Sequence, residues 1–386
     1  MKTKIFALTG IRSEYDLLYP LLLQLEQADD FELGVIVSGA HLSPLHNYSI
    51  HQVEQDGFCI VEKIDNLLYS DRLSAKAKSS AILMQSLTQV LDREQPDYFI
   101  VIGDREESII GALTAGYMNI PVIHLAGGDH TNPLGGDIDE QVRHATSKLA
   151  HVHFTMRQEH SERLIKLGEE PWRIHTVGSG GVDRIRMVPN MSRNELENKL
   201  GYRINEKYAI VIYHPLSSQI GDGEKELELI LQSLVNQNLK IFIGYPNSDP
   251  GFEGIIKVIQ KFENDGLAIS YNNLGRDLFI NLLKHASVLV GNSSLGLHEA
   301  PFLSLPVINV GERQKGRLAG KNVQFVDASR DDIENALYKV LYDIVYKEEI
   351  QNDRNIYGDG YMAERCVSII RKFPTKEKLL AKKLTY

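Results

Sequence analysis

The sequence predicts an α/β protein built from two doubly wound, mainly parallel sheets. Three observations carry that expectation. Short apolar runs alternate with longer amphipathic stretches, the alternation restarts after a polar passage at 187–207, and 386 residues suffice for two domains of ordinary size. A strand followed by a helix must cross over to reach a parallel neighbour. A sheet made this way is covered on both faces, so its strands read as near-continuous apolar runs.

In the first half the candidate strands are KIFALTG (4–10), LGVIVSG (33–39), CIVEKID (59–65), YFIVIGD (98–104), PVIHLAG (121–127) and HVHFTM (151–156). Between them lie helical stripes, one of Leu17, Leu18, Leu21, Leu22 and Leu25, another of Ile82, Leu83, Leu87, Val90 and Leu91. After the passage at 187–207 come YAIVIYHP (208–215), LKIFIGYP (239–246), LAISYN (267–272), SVLVGN (287–292), PVINVG (306–311) and VQFVD (323–327). Ligands of open α/β sheets collect at the carboxyl ends of the strands, and between two such domains the expected substrate site is the cleft. The tail RKFPTKEKLLAKKLTY (371–386) reads as a solvated helix end and terminus.

Composition narrows the function. The net charge of −9 gives a general nucleic-acid role no electrostatic support, although a local basic site for an anion is compatible with it. Cys59 and Cys366 are far apart and have no metal-ligand spacing, so they read as reduced, partly buried thiols of a cytosolic protein. MKTKIFALTG reads as a first strand with no signal peptide, and no apolar run approaches the ~18 residues of a membrane span.

The most informative stretch is GNSSLGLHEAPFLSLPVINVGERQKGR (291–317). A strand running through Gly291, Asn292, Ser293 and Ser294 into a helix aims backbone N–H groups and two hydroxyls at one point, a favourable place for a phosphate. Glu299 is placed to take a ribose hydroxyl pair and Arg313 to neutralise a diphosphate. An ordinary strand–loop–helix junction with a basic loop has the same pattern. His214 ends its strand before Pro215, where it serves either a leaving phosphate oxygen or local packing, and Asn247 lies in a turn-like PNSDPG.

In the first half, Arg12 sits in the turn after the first strand, either facing a phosphate or lying at the surface, and His41 follows the second strand. Asp104 and Arg105 follow a strongly apolar strand, where an Asp–Arg pair is structural, catalytic or an N-cap. The densest cluster is HLAGGDHTNPLGGDIDEQVRHATSKLAH (124–151), which holds Asp129, Asp137, Asp139, Glu140, Arg143, His144 and Lys148. Asp139 with Arg143, Glu140 with His144 and His144 with Lys148 are spaced i,i+4 on the predicted helix. Desolvated, gathered carboxylates raise one another's pKa, which suits a general acid and base near neutral pH. No HExxH or comparable spacing is present, so no metal site is expected.

TGIRSEY, GDR at 103–105, the GGD…DEQVRHATSKLAH block, YHP at 213–215, GNSSLGLHE…PVINVGERQKGR and YGDG (357–360), in this order, resemble the UDP-N-acetylglucosamine 2-epimerase family, nearest its hydrolysing branch. The resemblance covers nearly the whole chain. It implies a GT-B-like pair of Rossmann-type domains, 1–190 carrying the catalytic carboxylates and 191–360 binding UDP, with a C-terminal helix in 361–386 packing back on the first. It also implies anti elimination of UDP to a 2-acetamidoglucal, then hydration to N-acetylmannosamine, with no metal or nicotinamide cofactor. Position by position it assigns UDP binding to Arg12, His214, Ser293, Ser294, Glu299 and Arg313, with Asn247 a weaker member. Asp104, Asp129 and Asp139 resemble the catalytic carboxylates, Glu140 shares the acid/base role, and Arg105 resembles a substrate or phosphate contact. UDP-sugar and UDP are the implied small-molecule partners, with no nucleic acid or membrane partner, and a homodimer or homotetramer follows by analogy.

The chain departs from the branch pattern in reading GGD where GGE is usual, in placing Glu106 where an aromatic follows GDR, and in a longer TNPLGGDI loop. These differences bear on the sugar pocket, and a UDP-2,4-diacetamido-trideoxy sugar stands as the alternative substrate to UDP-GlcNAc. A GT-B glycosyltransferase and a non-catalytic UDP-sugar sensor are the competing classes.

Overall fold

The computed structural model describes the chain except residues 1, 45–47, 69, 71, 131–137, 205–206, 217–220, 247–250, 273 and 354. The described residues form two units, one of 2–130, 138–184 and 357–386, the other of 185–356. The first unit ends inside the helix Gly180–Met187 and resumes at Tyr357, ahead of the expected breaks after 190 and 360. Hydrogen bonds explain the difference. The buried Asp183 carboxylate accepts the N–H groups of Met362 and Ala363 at 2.9 and 2.8 Å, and Ser179 N–H donates to Tyr357 O at 2.8 Å.

Among the described residues, the first unit carries a seven-stranded parallel sheet. Its strands are β1 (Thr3–Thr9), β2 (Phe31–Ser38), β3 (Ile60–Ile64), β4 (Tyr98–Ile102), β5 (Val122–Leu125), β6 (Val152–Thr155) and β7 (Ile174–Thr176), in the order β3-β2-β1-β4-β5-β6-β7. Strand alternation divides the core between the two faces. Ile5, Ala7, Ile100 and Ile102 join one buried cluster, whereas Phe6, Leu8, Phe99 and Val101 join another. Each fully buried Ile, Leu, Val or Phe side chain contributes about 1.5–3 kcal/mol. β7 is the strand the sequence pattern does not reveal. It is three residues long with half-buried to exposed side chains, too short and too wet for an apolar run.

The second unit carries, among its described residues, a six-stranded parallel sheet. It consists of β8 (Tyr208–Ile212), β9 (Lys240–Gly244), β10 (Ala268–Tyr271), β11 (Val288–Gly291), β12 (Val307–Val310) and β13 (Val323–Val326), in the order β10-β9-β8-β11-β12-β13. In both sheets the chain winds outward to one side and then restarts on the other. The reversal falls between β1 and β4 in the first and between β8 and β11 in the second. Loops diverge at such a point and leave room for a ligand outside the carboxyl ends of the strands.

The tail departs from the reading of 371–386 as a solvated end. Leu379 is fully buried, Arg173 donates to the carbonyls of Lys378, Leu379 and Ala381, and Lys382 Nζ donates to the carbonyls of Ser147, Lys148 and Ala150 at 3.0, 2.8 and 2.6 Å. The segment is a packed part of the first unit and not a solvated end. Cys366 is buried as expected, but Cys59, just before β3, is exposed. Among the described residues no helix is long and apolar enough to cross a membrane, and no group of three or more His, Cys, Asp or Glu is arranged to hold a metal ion.

Candidate active site

In the first unit the centre of the site is Arg143, on the helix Asp139–Leu149 and 2% exposed. Its Nη2 donates to Asp104 Oδ2, and its Nη1 donates to Glu140 Oε2 at 2.6 Å and to Asp129 O at 3.4 Å. Asp104 follows β4 and Asp129 follows β5, so one guanidinium ties two adjacent strand ends to the first turn of a helix. Burial disfavours its charge, but Asp104, Asp129 and Glu140 more than offset this and raise its pKa above the ordinary arginine value. The sequence presents Arg143 only as the i,i+4 partner of Asp139, and the folded chain gives it partners from other elements.

The carboxylates around it are individually held. Asp129 is 5% exposed; its Oδ1 accepts the N–H of His130 at 2.7 Å and lies 3.3 Å from Nε2 of the buried His160. Glu140 Oε1 lies 3.2 Å from His130 Nδ1 and 3.1 Å from His144 Nε2, so its carboxylate is flanked by three basic side chains. Asp139 opens the helix, and Lys148 reaches Glu169 at 2.9 Å, away from His144. The loop TNPLGGD (131–137), with Asp137, lies outside the described residues.

His124 on β5 is a further member that sequence reading passes over. Its Nε2 meets the carbonyl of Gly103 at 2.8 Å and its Nδ1 meets Ser147 Oγ at 3.1 Å. Burial lowers its pKa to about 3, so the ring is neutral. A carbonyl only accepts, so Nε2 carries the proton and Nδ1 accepts from the serine hydroxyl. The ring thereby fixes the Gly103 turn that presents Asp104. An alternating strand predicts an inward-facing residue here, but nothing local marks its partner.

The remaining candidates of the first unit have carboxylate or hydroxyl neighbours of their own. Arg105 lies 3.5 Å from Glu107 and 3.6 Å from Glu106, and Arg12 lies 3.6 Å from Asp16. His41 is fully buried between Thr9 Oγ1 at 3.0 Å and Ser49 Oγ at 2.8 Å, which makes it a bracing residue of the β1 and β2 ends.

In the second unit the site is built across the ends of β8 and β11. His214 N–H donates to Asn292 Oδ1 and Asn292 Nδ2 donates to His214 O, each at 2.8 Å. The buried asparagine side chain thus continues the ladder past the last strand residue. Gly291 permits the turn: its φ is +138°, and a Cβ there would stand 2.0 Å from Ile212 O. Asn292 O accepts from Arg313 Nη1 at 3.0 Å and from Gln314 Nε2 at 3.1 Å. Arg317 braces Gln314 Oε1 at 2.6 Å, so a buried chain of polar groups sets the orientation of the Arg313 segment.

The helix expected after GNSS is a single turn, Leu295–His298. Ser293 Oγ accepts the N–H of Leu295 at 3.3 Å, and Ser294 O accepts those of Leu297 and His298. Within this turn the N–H groups of Leu295, Gly296 and Leu297 are taken up by Ser293 and Ser294, the two half-buried serines at its start. Glu299 does not sit within the helix but at the joint between it and the 3-10 turn Ala300–Leu303. Asn247 lies outside the described residues.

Comparison with known proteins identifies the family. A family model for UDP-N-acetylglucosamine 2-epimerase matches residues 23–371. A UDP-N,N'-diacetylbacillosamine 2-epimerase (hydrolyzing) of Legionella pneumophila is 34% identical, covering 99% of each chain. A GDP/UDP-N,N'-diacetylbacillosamine 2-epimerase (hydrolyzing) of Campylobacter jejuni is 32% identical, covering 88% of each. The crystal structure of UDP-GlcNAc 2-epimerase from Neisseria meningitidis bound to UDP-GlcNAc shares the fold, with a TM-score of 0.83 at 19% identity over 96% of this chain and 100% of that one. Family match, full-length relatives and the pair of Rossmann-like sheets place this chain in the UDP-N-acetylglucosamine 2-epimerase family, in its hydrolysing branch.

Proposed function

We propose that the protein hydrolyses a UDP-2,4-diacetamido-2,4,6-trideoxyglucose with inversion at C2, releasing UDP and the free manno-configured sugar. The observation that carries the reaction type is the gathering of Asp104, Asp129 and Glu140 about the buried Arg143. Elimination followed by hydration calls for several carboxylates near C1 and C2, and here they are gathered about one guanidinium.

The steps balance without redox. A carboxylate from the set Asp104, Asp129, Asp139 and Glu140 takes the C2 proton. The C–H electron pair becomes the C1–C2 double bond, and the C1–O bond breaks with its pair leaving on UDP. Water then adds its hydroxyl to C1 while C2 is protonated from the opposite face, which inverts its configuration. His214, Ser293, Ser294, Glu299, Arg313 and Arg12 are assigned to UDP, with Asn247 as a further contact, and Arg105 to the anionic part of the substrate.

The diacetamido sugar is favoured by the activities named for the Legionella and Campylobacter relatives. UDP-GlcNAc, the first expectation from the motifs, is the second reading, supported by the description of the matching family. Incubating the protein separately with each UDP-sugar and following the products by NMR in D2O separates them. The proposal expects UDP, free 2,4-diacetamido-trideoxymannose and deuterium at C2. Consumption of UDP-GlcNAc alone would transfer the assignment to that sugar, and an intact UDP-linked epimer would refute hydrolysis. Turnover that requires an acceptor would identify a glycosyltransferase instead.

A further inference from the structure

Two more carboxyl groups lie at the carboxyl ends of β1, β2 and β4. Glu107, on the helix Glu106–Tyr117, is 4% exposed, and Glu14, on the helix Arg12–Glu26, is 7% exposed. Both converge on Gly10, which follows β1. Glu14 Oε2 accepts the Gly10 N–H at 3.4 Å, and Glu107 Oε1 is so close that a Cβ on Gly10 would stand 2.2 Å from it. A Cβ on Gly39, which follows β2, would stand 2.6 Å from the same oxygen. The two glycines leave the space that the Glu107 carboxyl fills. Its other oxygen, Oε2, lies 3.5 Å from Arg105 Nε, yet neither that oxygen nor Glu14 Oε1 has a hydrogen-bond partner among the described residues.

Burying two carboxyls side by side with an unsatisfied oxygen on each is costly, and packing alone does not call for it. What the arrangement does supply is a fixed anchor behind Arg105. An arginine on a turn loses side-chain rotamer freedom when it is fixed, and restraining it beforehand removes part of that cost from binding. We propose that Glu107, backed by Glu14, is the positioning residue for Arg105, holding its guanidinium ready for the anionic part of the UDP-sugar. This rests on the functional reading above, which gives Arg105 a substrate contact.

The anchor is pH-sensitive. Burial, then the charge of Glu106, raises the Glu107 pKa to about 7, with Arg105 and Lys76 opposing; Glu14 is raised by burial, Glu107 and Asp104. Among the described residues, the charged groups that act on this pair are Lys76 from the helix Leu73–Glu94, Asp104 and Arg105 from the turn after β4, and Glu106 from Glu107's own helix. Below pH 7 Glu107 is neutral, and above it Glu107 forms an ion pair with Arg105. Its folded pKa exceeds that of the unfolded chain. Its contribution to stability is therefore full below about pH 4.5 and is lost as pH rises through about 7.

The test is a double-mutant cycle of Arg105→Ala and Glu107→Ala in UDP-sugar hydrolysis, with Glu107→Gln as the shape-conserving variant, from pH 5.5 to 8.5. Glu107→Ala is expected to raise KM about tenfold with kcat within about threefold, and to shift KM less than about twofold in the Arg105→Ala background. Glu107→Gln is expected to stay near the parent in KM at pH 6 and to lose the inflection near pH 7. An equal Glu107→Ala effect with and without Arg105, or a fall in kcat at constant KM, would overturn the proposal. Urea unfolding of the parent and Glu107→Gln at pH 5 and pH 8 needs no substrate, and the variant should gain on the parent at pH 8. If the parent hydrolyses no UDP-sugar, the functional reading falls and the role of Arg105 with it; if the unfolding difference is absent while turnover is normal, only the positioning proposal falls. Should Glu107→Ala not fold, Glu107→Gln and its double with Arg105→Ala carry the same cycle.

Discussion

Replacing Arg143 by methionine removes the guanidinium that bonds Asp104, Asp129 and Glu140. The side chain is almost wholly buried, and Glu140 and Asp104 retain only 15% and 28% of their side-chain exposure. Removing one partner of a buried pair typically costs about 3–5 kcal/mol, because the charge left behind is uncompensated. Asp104 is the wetter of the two and can recover some hydration, which places the expected loss near 3 kcal/mol. Methionine fills much of the volume, so little of the loss is cavity. Turnover should fall further than stability. Asp104 and Glu140 lose their common anchor, and misplacement by about 1 Å costs on the order of 100-fold in rate. Arg143→Lys should fall between, since an ammonium cannot reproduce the planar fork that reaches three acceptors. Urea denaturation followed by circular dichroism gives the first quantity, and UDP release from the competent UDP-sugar gives the second. If Arg143→Met unfolds within about 0.5 kcal/mol of the parent and keeps its kcat/KM, the reasoning that makes Arg143 the centre of the site is wrong.

Three other perturbations probe separate parts of the molecule. Asn292→Ala deletes the reciprocal bonds to the His214 backbone, and it should cost about 2 kcal/mol and weaken UDP binding at least tenfold by calorimetry; unchanged affinity would show that His214 is held without it. Lys382→Met leaves the last carbonyls of the helix Asp139–Leu149 without their cap, and amide exchange across residues 139–150 should speed up at a stability cost of about 2 kcal/mol; unaltered exchange would make the tail a passive cover. Glu169 is held at about 2: burial works against its charge, and hydrogen bonds and charges from His153 and Lys382 outweigh it. Its folded pKa is depressed, so its contribution is present above pH 4.5 and is lost as pH falls through about 2. Glu169→Gln should lower stability at pH 7 by about 2 kcal/mol after solvent screening and flatten the acid limb between pH 4.5 and 2, which pH-resolved urea unfolding measures.

Much of this was legible in one dimension. Alternation of apolar runs with helical stripes locates every strand but β7, because a strand buried on both faces announces itself locally. The motif order locates Asp104, Asp129 and Glu140 in one half and the GNSS and GERQKGR segments in the other. Why position 291 must be glycine is visible only in the fold, where a Cβ would stand 2.0 Å from Ile212 O. The partners of the polar groups are what the tertiary structure decided. Arg143 is separated from Asp104 by 39 residues and from Asp129 by 14, and helical spacing proposed Asp139 instead. Lys382 meets its acceptors more than 230 positions away, and the tail that carries it reads as solvated for the same reason. Apolar burial follows from periodicity, which is local. The partner of a buried charge is whichever polar group the sheet order brings within reach, and no window of sequence contains that information.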